Sequence, residues 1–370
     1  MNKVLYIVKS TLHVYPPCVA QIRLLKNHGV DIEVLYGSCS PKVTKILDDA
    51  GIPYKELVDE RGRYRGALDK VYNYISFRRS LSRELKQRNL KNTILWFGNA
   101  ETLLSMKGSS YLKRGRYAIT FLELLDDHPF RMYLLKSLAQ NAKFTISCEL
   151  TRAYIMKYWW KLDTLPYVMP NKPYEIAPKG EKPTDPDAIS VLSKLDNKKI
   201  IIYQGLIDDS ESLNSIVTAI DKMEGDYVLL LMGMDRDNIF EKMQQKSNKV
   251  YCSKYITAPN HLQVTSKAFA GIVFYNGDKV LNNAFCAPNK IYEYGAYGVP
   301  MIANSIPGLL NTVGACGAAV CSDLSVEAVT SAINYIETHY VEMSKASHDF
   351  YEATDMNAIM KTIIEEQLNR

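Results

Sequence analysis

The sequence predicts an α/β protein made of two doubly wound parallel sheets, and three observations carry that reading. From Lys3 to Val58 strand-like and helix-like segments alternate without a break. The alternation restarts after a stretch rich in Pro, Gly and charge at 176–197. At 370 residues the chain is also longer than one core usually supports. Two domains of roughly 150 to 200 residues are the expected outcome.

Taken in order, Lys3 to Val8 is a near-continuous apolar run that reads as a strand, and after Tyr15-Pro16-Pro17 a helix from Cys18 to Asn27 is ended by His28-Gly29. Asp31 to Tyr36 is a second strand, Lys42 to Ala50 a helix, and Pro53 to Val58 a third strand. No G-x-G-x-x-G follows the first strand, so the glycine turn that holds a dinucleotide pyrophosphate is missing and NAD-type binding is not expected in this half.

Net charge is +5, but it is unevenly spread: Arg61 to Lys91 holds ten Lys or Arg against Asp69 and Glu84, which makes that segment +8 and the remainder −3. Tyr64, Tyr72, Tyr74 and Phe77 interleave with these charges. Such a mix suits peripheral contact with an anionic membrane surface through 61–91, or, alternatively, a solvated helical face. No nucleic-acid recognition motif accompanies it, so nucleic acid is not an expected partner.

Thr93 to Phe97, Ala118 to Leu122 and Lys143 to Ser147 complete the strands of the first half, which Val168 to Pro173 closes. Ligands of open α/β sheets lie outside the carboxyl ends of the strands, which places Asn99, Glu101, Glu123, Asp126, Asp127 and His128 near a cleft. Asp127, shortly before Pro129, also reads as a helix cap, whereas Glu123 stands closer to its strand.

The second half opens on K-I-I-I-Y-Q-G at Lys199 to Tyr203, followed by an amphipathic helix at Leu213 to Met223. Further strands are Tyr227 to Met232, Lys249 to Cys252, Ala270 to Tyr275 and Met301 to Ala303, five in all, and Asp355 to Asn369 is a helical tail long enough to return to the first domain. The expected boundaries are 1–174 for the first domain, 175–197 for a linker, 198–350 for the second domain and 351–370 for the returning helix.

Composition narrows the class. Apolar residues are 47% and charged residues 23%, as in ordinary globular chains, and no run of about 18 apolar residues could span a bilayer. The start, M-N-K-V-L-Y-I-V-K-S, lacks a cleavage site and reads as a strand, so a cytoplasmic protein is expected, with peripheral attachment to the inner face of the plasma membrane as the variant. Seven cysteines without C-x-x-C and six scattered histidines indicate neither disulfides nor zinc.

The richest stretch is Cys286 to Gly308, C-A-P-N-K-I-Y-E-Y-G-A-Y-G-V-P-M-I-A-N-S-I-P-G. Pro288 suits a helix's first turn, and Gly298 before Val299-Pro300 stops the helix about three turns later. Lys290 and Glu293 share one face, with Ile291, Tyr294 and Gly295 turned toward a sheet. The unpaired N–H groups of Asn289 and Lys290, with the ammonium beside them, suit a phosphate; Glu293, deeper in, can accept hydroxyl protons. Phosphates outside and a ribose diol inside describe a nucleoside diphosphate. A capped surface helix with a Lys290–Glu293 ion pair is the competing reading.

Two Rossmann-like halves, the I-I-I-Y-Q-G and L-L-L-M-G strands, and A-G-I-V-F-Y followed by P-N-K-I-Y-E-Y and S-I-P-G resemble the GT-B glycosyltransferases, most closely the retaining family 4 type of bacterial capsule and lipopolysaccharide synthesis. The resemblance implies Asn289 and Lys290 at the diphosphate, Glu293 at the ribose, and Ser305 to Gly308 near the donor. It also implies base reading at Tyr255-Ile256-Thr257, and a nucleotide-sugar donor with UDP preferred. The acceptor implied is a lipid-linked or oligosaccharide one, held by the first domain with Glu123, Asp127 and His128 as candidate catalytic residues. The basic residue that relatives carry after the first strand of the second half is absent, with Leu206 and Glu211 in its place beyond Gly205, and Phe285 stands where a second glutamate is usual. Lys254, Lys279 and Lys290 are the candidates to compensate. A nucleotide-sugar 2-epimerase or a catalytically silent partner subunit are the alternatives. Neither a cofactor nor a metal is expected, because helix dipoles and lysines can hold the leaving diphosphate. Asp185-Pro186-Asp187 and Asp235-Arg236-Asp237 match a metal-binding D-x-D spacing but read as turns. Trp159-Trp160 with Tyr154, Met156 and Tyr158 reads as core or interdomain packing.

Overall fold

The computed structural model describes residues 3–57, 67–176, 178–208, 210–235 and 237–369. The chain divides into two compact units, one of Met1–Tyr174 with Asp355–Arg370 and one of Glu175–Thr354. The first carries β1 (Lys3–Thr11), β2 (Ile32–Ser38), β3 (Tyr54–Glu56), β4 (Thr93–Phe97), β5 (Tyr117–Phe121), β6 (Phe144–Ser147) and β7 (Tyr167–Val168). They form one parallel sheet in the order β3-β2-β1-β4-β5-β6-β7. The apolar run of β1 explains its central place, since a strand covered on both faces needs apolar residues at every position. Val4, Tyr6 and Val8 enter one core and Leu5 and Ile7 the other.

The second unit repeats this plan with β8 (Lys199–Ile207), β9 (Tyr227–Asp235), β10 (Val250–Lys254), β11 (Ala270–Val273), β12 (Met301–Asn304) and β13 (Ala319–Ser322). Their parallel order is β10-β9-β8-β11-β12-β13. Ile200 and Ile202 of β8 pack on one face and Ile201 and Tyr203 on the other. In each sheet the winding reverses once, between β1 and β4 and between β8 and β11. A doubly wound sheet opens a crevice at the carboxyl ends of those strands.

Several expectations change. The second sheet has six strands, not five. The sixth, A-V-C-S at β13, lacks the β-branched run that marks a strand. The first helix begins at Pro16, two residues early, because proline without its N–H fits a first helical turn. The segment expected as a linker is part of the second unit. Asp185 caps a helix at Pro186–Leu192 by accepting from the backbone N–H groups of Asp187 and Ala188, and Ala188, Val191 and Leu195 enter the core. The chain from Asp355 packs Met356, Met360, Ile363, Ile364 and Leu368 into the first unit's core, while 351–354 stay with the second unit. Part of the basic segment, 61–66, together with Val58 and Arg236, lies outside the described residues. Among the described residues no helix is long and apolar enough to cross a membrane.

One glycine in β11 follows from packing. A Cβ on Gly271 would lie 2.4 Å from the ring of Tyr294, which fills the space beneath the sheet with its hydroxyl toward the carbonyls of Ile202 and Ile272. Gly271→Ala is therefore expected to lose about 1–2 kcal/mol of stability, measured by urea unfolding, because a buried aromatic ring must shift.

Candidate functional site

The helix that follows the P-N-K motif runs Asn289–Ala296, with Pro288 as its N-cap and no side chain capping it. It stops where the sequence indicates, Gly298 adopting φ +62° just past the end. The expectation of one packed and one open side is only partly met, since Ile291 to Ala296 are all buried. Tyr294 lies under the sheet, and Gly295 faces the Tyr340–Glu352 helix, where a Cβ would stand 3.0 Å from the Ser347 carbonyl oxygen. What remains accessible is the start of the helix, at the carboxyl ends of β8 and β11.

There the structure assembles residues from distant parts of the chain. Glu293, 8% exposed, accepts a hydrogen bond from Gln204 Nε2 in the carboxyl-terminal half of β8, and its other oxygen lies 3.2 Å from His261 Nε2. Gln204 Oε1 in turn accepts from the buried Thr265 hydroxyl at 2.7 Å. The chain Thr265, Gln204, Glu293, His261 fixes the carboxylate in place. Each carboxylate oxygen has a lone pair left for a ligand hydroxyl. The Lys290–Glu293 ion pair of the competing reading is not formed among the described residues. Lys290 extends instead past Gly205, where a Cβ would be 3.7 Å from its Nζ, an ordinary contact, and Nζ lies 4.6 Å from the centre of the Tyr203 ring and 5.4 Å from that of Tyr275. Burial pulls its ammonium down to about 8, against the opposing pull of Glu293. A cation held between rings rather than by a carboxylate keeps its charge available to an anion.

The remaining predicted residues are placed unevenly. Tyr255 is exposed just after β10, and burial of its hydroxyl, then the charge of Glu293, raises its pKa. Ile256 is turned into the core, so its side chain cannot read a base. Lys254 is exposed as the last residue of β10, Ser305 just after β12, and Lys279 in the loop beyond β11. Among the described residues no hydrogen bond or ion pair ties their side chains to the Glu293 network. Asn304, beside Ser305, clamps the extension of β11 by bonding both N and O of Tyr275. Leu206 is exposed, and Glu211 is the first residue of the Glu211–Lys222 helix, where a carboxylate favours the dipole. The D-x-D spacings serve as helix starts: Asp185 as above, and Asp235 accepting from Ile239 N at 2.7 Å.

In the first unit, Glu123 is exposed two residues beyond β5. Asp127 and His128 are exposed and 3.6 Å apart. Asp127 is not the helix cap, since the Pro129–Asn141 helix has His128 at that position with no side-chain cap bond. The better ordered constellation is at the β1/β4 reversal. Lys9 Nζ lies 3.1 Å from Glu101 and 4.3 Å from the centre of the Tyr74 ring, and burial followed by the Glu101 charge raises the pKa of Tyr74. Tyr15 is raised too, by burial, Glu101 and, more weakly, Glu123. Asn99 caps the next helix through Thr102 N at 2.8 Å, and its buried Nδ2 has no hydrogen-bond partner among the described residues. Sequence reading reached Asn99 and Glu101 but not Lys9, which interrupts an apolar strand and could have been found on that ground.

Solved structures of the same architecture match the chain from end to end. A sucrose-phosphate synthase from Thermosynechococcus elongatus superposes with a TM-score of 0.71 at 14% identity, covering 98% of each chain. HepE of Anabaena, in complex with UDP and glucose, gives 0.69 at 13% identity over 99% of each chain. The fold is GT-B. A UDP-N-acetylglucosamine 2-epimerase shares it, with a TM-score of 0.65 at 13% identity over 100% of this chain and 96% of that one. No protein-family model matches the sequence, and no curated protein matches it either. Within a GT-B fold the second sheet's crevice, with Lys290 and Glu293 at its mouth, is the candidate site with the most built-in chemistry.

Proposed function

We propose that the chain is a glycosyltransferase that moves a sugar, with retention, from a nucleotide donor, UDP-linked by preference, to a lipid-linked or saccharide acceptor in bacterial surface polysaccharide synthesis. The observation that carries this reading is Lys290, a cation held between two tyrosine rings at a helix start beside a buried, fixed Glu293. The UDP complex of a fold neighbour supports it. In this reading the N–H of Asn289 and the Lys290 ammonium meet the diphosphate, Glu293 accepts from the ribose hydroxyls, and the Tyr255-Ile256 backbone and the Tyr255 ring meet the base. Gly205 borders the Lys290 ammonium. Lys254, Lys279 and Ser305 border the donor. Glu123, Asp127 and His128 stay as the acceptor-side candidates. The bond from the sugar's anomeric carbon to the diphosphate breaks, the acceptor oxygen bonds to that carbon on the same face, and the acceptor proton passes to the leaving phosphate. Charge on that leaving group is met by helix dipole and lysine, with no metal called for.

Incubation with UDP-, GDP- and ADP-sugars tests this directly. Slow release of free sugar from a UDP-sugar is expected, with at least about half the rate retained in EDTA because no ion bridges the diphosphate. Loss of turnover in EDTA restored by Mn²⁺ would overturn the metal-free part. The 2-epimerase fold neighbour favours one second reading, in which a sugar inverted at C2 accumulates on the nucleotide instead. Binding of nucleotide without any turnover would point to a silent partner subunit.

A further inference from the structure

We propose that Lys9, Ser10, Tyr15, Tyr74 and Glu101, gathered at the β1/β4 reversal of the first unit, form a seat for the hydroxyl groups of a neutral saccharide. Four segments supply them: the carboxyl end of β1, the residue before the Pro16–Asn27 helix, the Ala67–Lys86 helix and the Ala100–Ser105 helix. They meet where a doubly wound sheet opens its crevice.

The charged pair at the centre is held in place by the fold. The Lys9 side chain is only 10% exposed, a burial that an ammonium tolerates only with partners. It has two, since Nζ lies 3.1 Å from Glu101 Oε1 and 4.3 Å from the centre of the Tyr74 ring. The Lys9 backbone N–H donates at 2.8 Å to the Thr102 hydroxyl, which donates at 2.8 Å to Asn99 Oδ1. These bonds tie β1 to the helix that carries Glu101. The pair is thereby preorganised.

What surrounds the pair decides the ligand. The Glu101 side chain is 37% exposed, and its Oε2 has only a long contact of 3.4 Å from Ser10 Oγ besides the Tyr74 hydroxyl. Burial and then the Glu101 charge raise the Tyr74 pKa against the pull of Arg131, with a smaller contribution from its hydrogen bond to Glu101. Tyr15 is raised by burial, Glu101 and Cys18 against a hydrogen bond from Ser10, and Glu123 adds weakly. Both phenols therefore stay neutral and can donate as well as accept. Lys9 and Arg131 stand against Glu101 and Glu123, so the charges of the group balance. Such a group favours neither a phosphate nor an ammonium. Three neutral hydroxyls around a carboxylate and an ammonium, with two tyrosine rings beside them, instead suit adjacent sugar hydroxyls, each of which also donates and accepts. As the seat of the acceptor this rests on the transferase reading, and it commits that acceptor to a saccharide end over a lipid phosphate. Binding of the saccharide itself requires neither nucleotide nor turnover.

The test is saturation-transfer NMR on the full chain, without nucleotide, using methyl glycosides of glucose, galactose, mannose and N-acetylglucosamine. At least one should bind with a Kd below about 10 mM, and about 20 mM inorganic phosphate should not displace it. Glu101→Gln is expected to weaken that glycoside by at least about tenfold, because a charged acceptor is lost. Tyr74→Phe and Tyr15→Phe keep their rings and lose one hydroxyl each, so each should cost at least about threefold even if Glu101→Gln folds poorly. A merely structural ion pair predicts the reverse, a lower melting temperature in Glu101→Gln with glycoside binding unchanged. Sugar release from UDP-glucose, followed in parallel, reports on the donor reading: its absence with glycoside binding intact strikes that reading and leaves the seat. The proposal is overturned if no glycoside of the panel binds, if the three variants bind as the wild type does, or if phosphate displaces the sugar.

Discussion

Lys290→Met is expected to weaken UDP binding by roughly a hundredfold while uridine binding changes by no more than about twofold. Methionine keeps an unbranched stem between Tyr203 and Tyr275 and removes the charge. Two charge-assisted hydrogen bonds to a diphosphate at about 1.5 kcal/mol each account for the size of the effect. The fold should hardly notice, since no ion pair to Lys290 is formed among the described residues. The same lysine sets a pH dependence. Its ammonium titrates near 8 in the free protein, so wild-type affinity for UDP should fall as pH rises through about 8, and Lys290→Met should show no such step. Because the bound phosphate favours the charged form, binding near that pH takes up protons. Calorimetry in buffers of different ionisation heat measures this uptake. A flat wild-type profile, or uridine losing as much as UDP, would remove Lys290 from the diphosphate.

Glu293→Ala is expected to cost at least roughly tenfold in nucleotide affinity, since a carboxylate that accepts from both ribose hydroxyls supplies charged hydrogen bonds of about 1.5–3 kcal/mol each. The structure adds a second effect. Removing the carboxylate also strands Gln204 Nε2 and His261, so stability should drop as well, by about 1–3 kcal/mol for buried polar groups left unpaired. Glu293→Gln retains the shape and one acceptor, and should lose less of both. Thermal melts alongside titrations separate the two effects.

Much of the fold was legible because central strands of a doubly wound sheet are apolar at every position, as K-V-L-Y-I-V and K-I-I-I-Y are. The P-N-K helix was legible too, since a proline start and a glycine stop are local signals. The partners of Glu293 were not, for a physical reason: Gln204, His261 and Thr265 come from two other segments that meet only when β8 and β11 become neighbours. One hint existed, a glutamine following the apolar run of β8. The inward turn of the Ile256 side chain was not legible, because sequence gives the strand end but not which way the next residue points. Trp159-Trp160 shows the limit of reading by residue type. Helical spacing puts Met156 and Trp160 on the buried stripe and leaves Tyr158 and Trp159 outside, so the cluster is divided between core and surface.

The central claim is that Glu293 marks a ribose seat at the mouth of the second sheet, and the most direct measurement compares UDP with 2′-deoxy-UDP on the wild type and on Glu293→Ala by calorimetry. On this account the wild type binds UDP at least about fivefold more tightly than the deoxy ligand, and the variant binds the two within about twofold, because the lost hydroxyl and the lost carboxylate are partners in one contact. If the wild type binds both ligands equally, Glu293 serves only the Gln204 and His261 network, and the nucleotide site proposed here is in the wrong place.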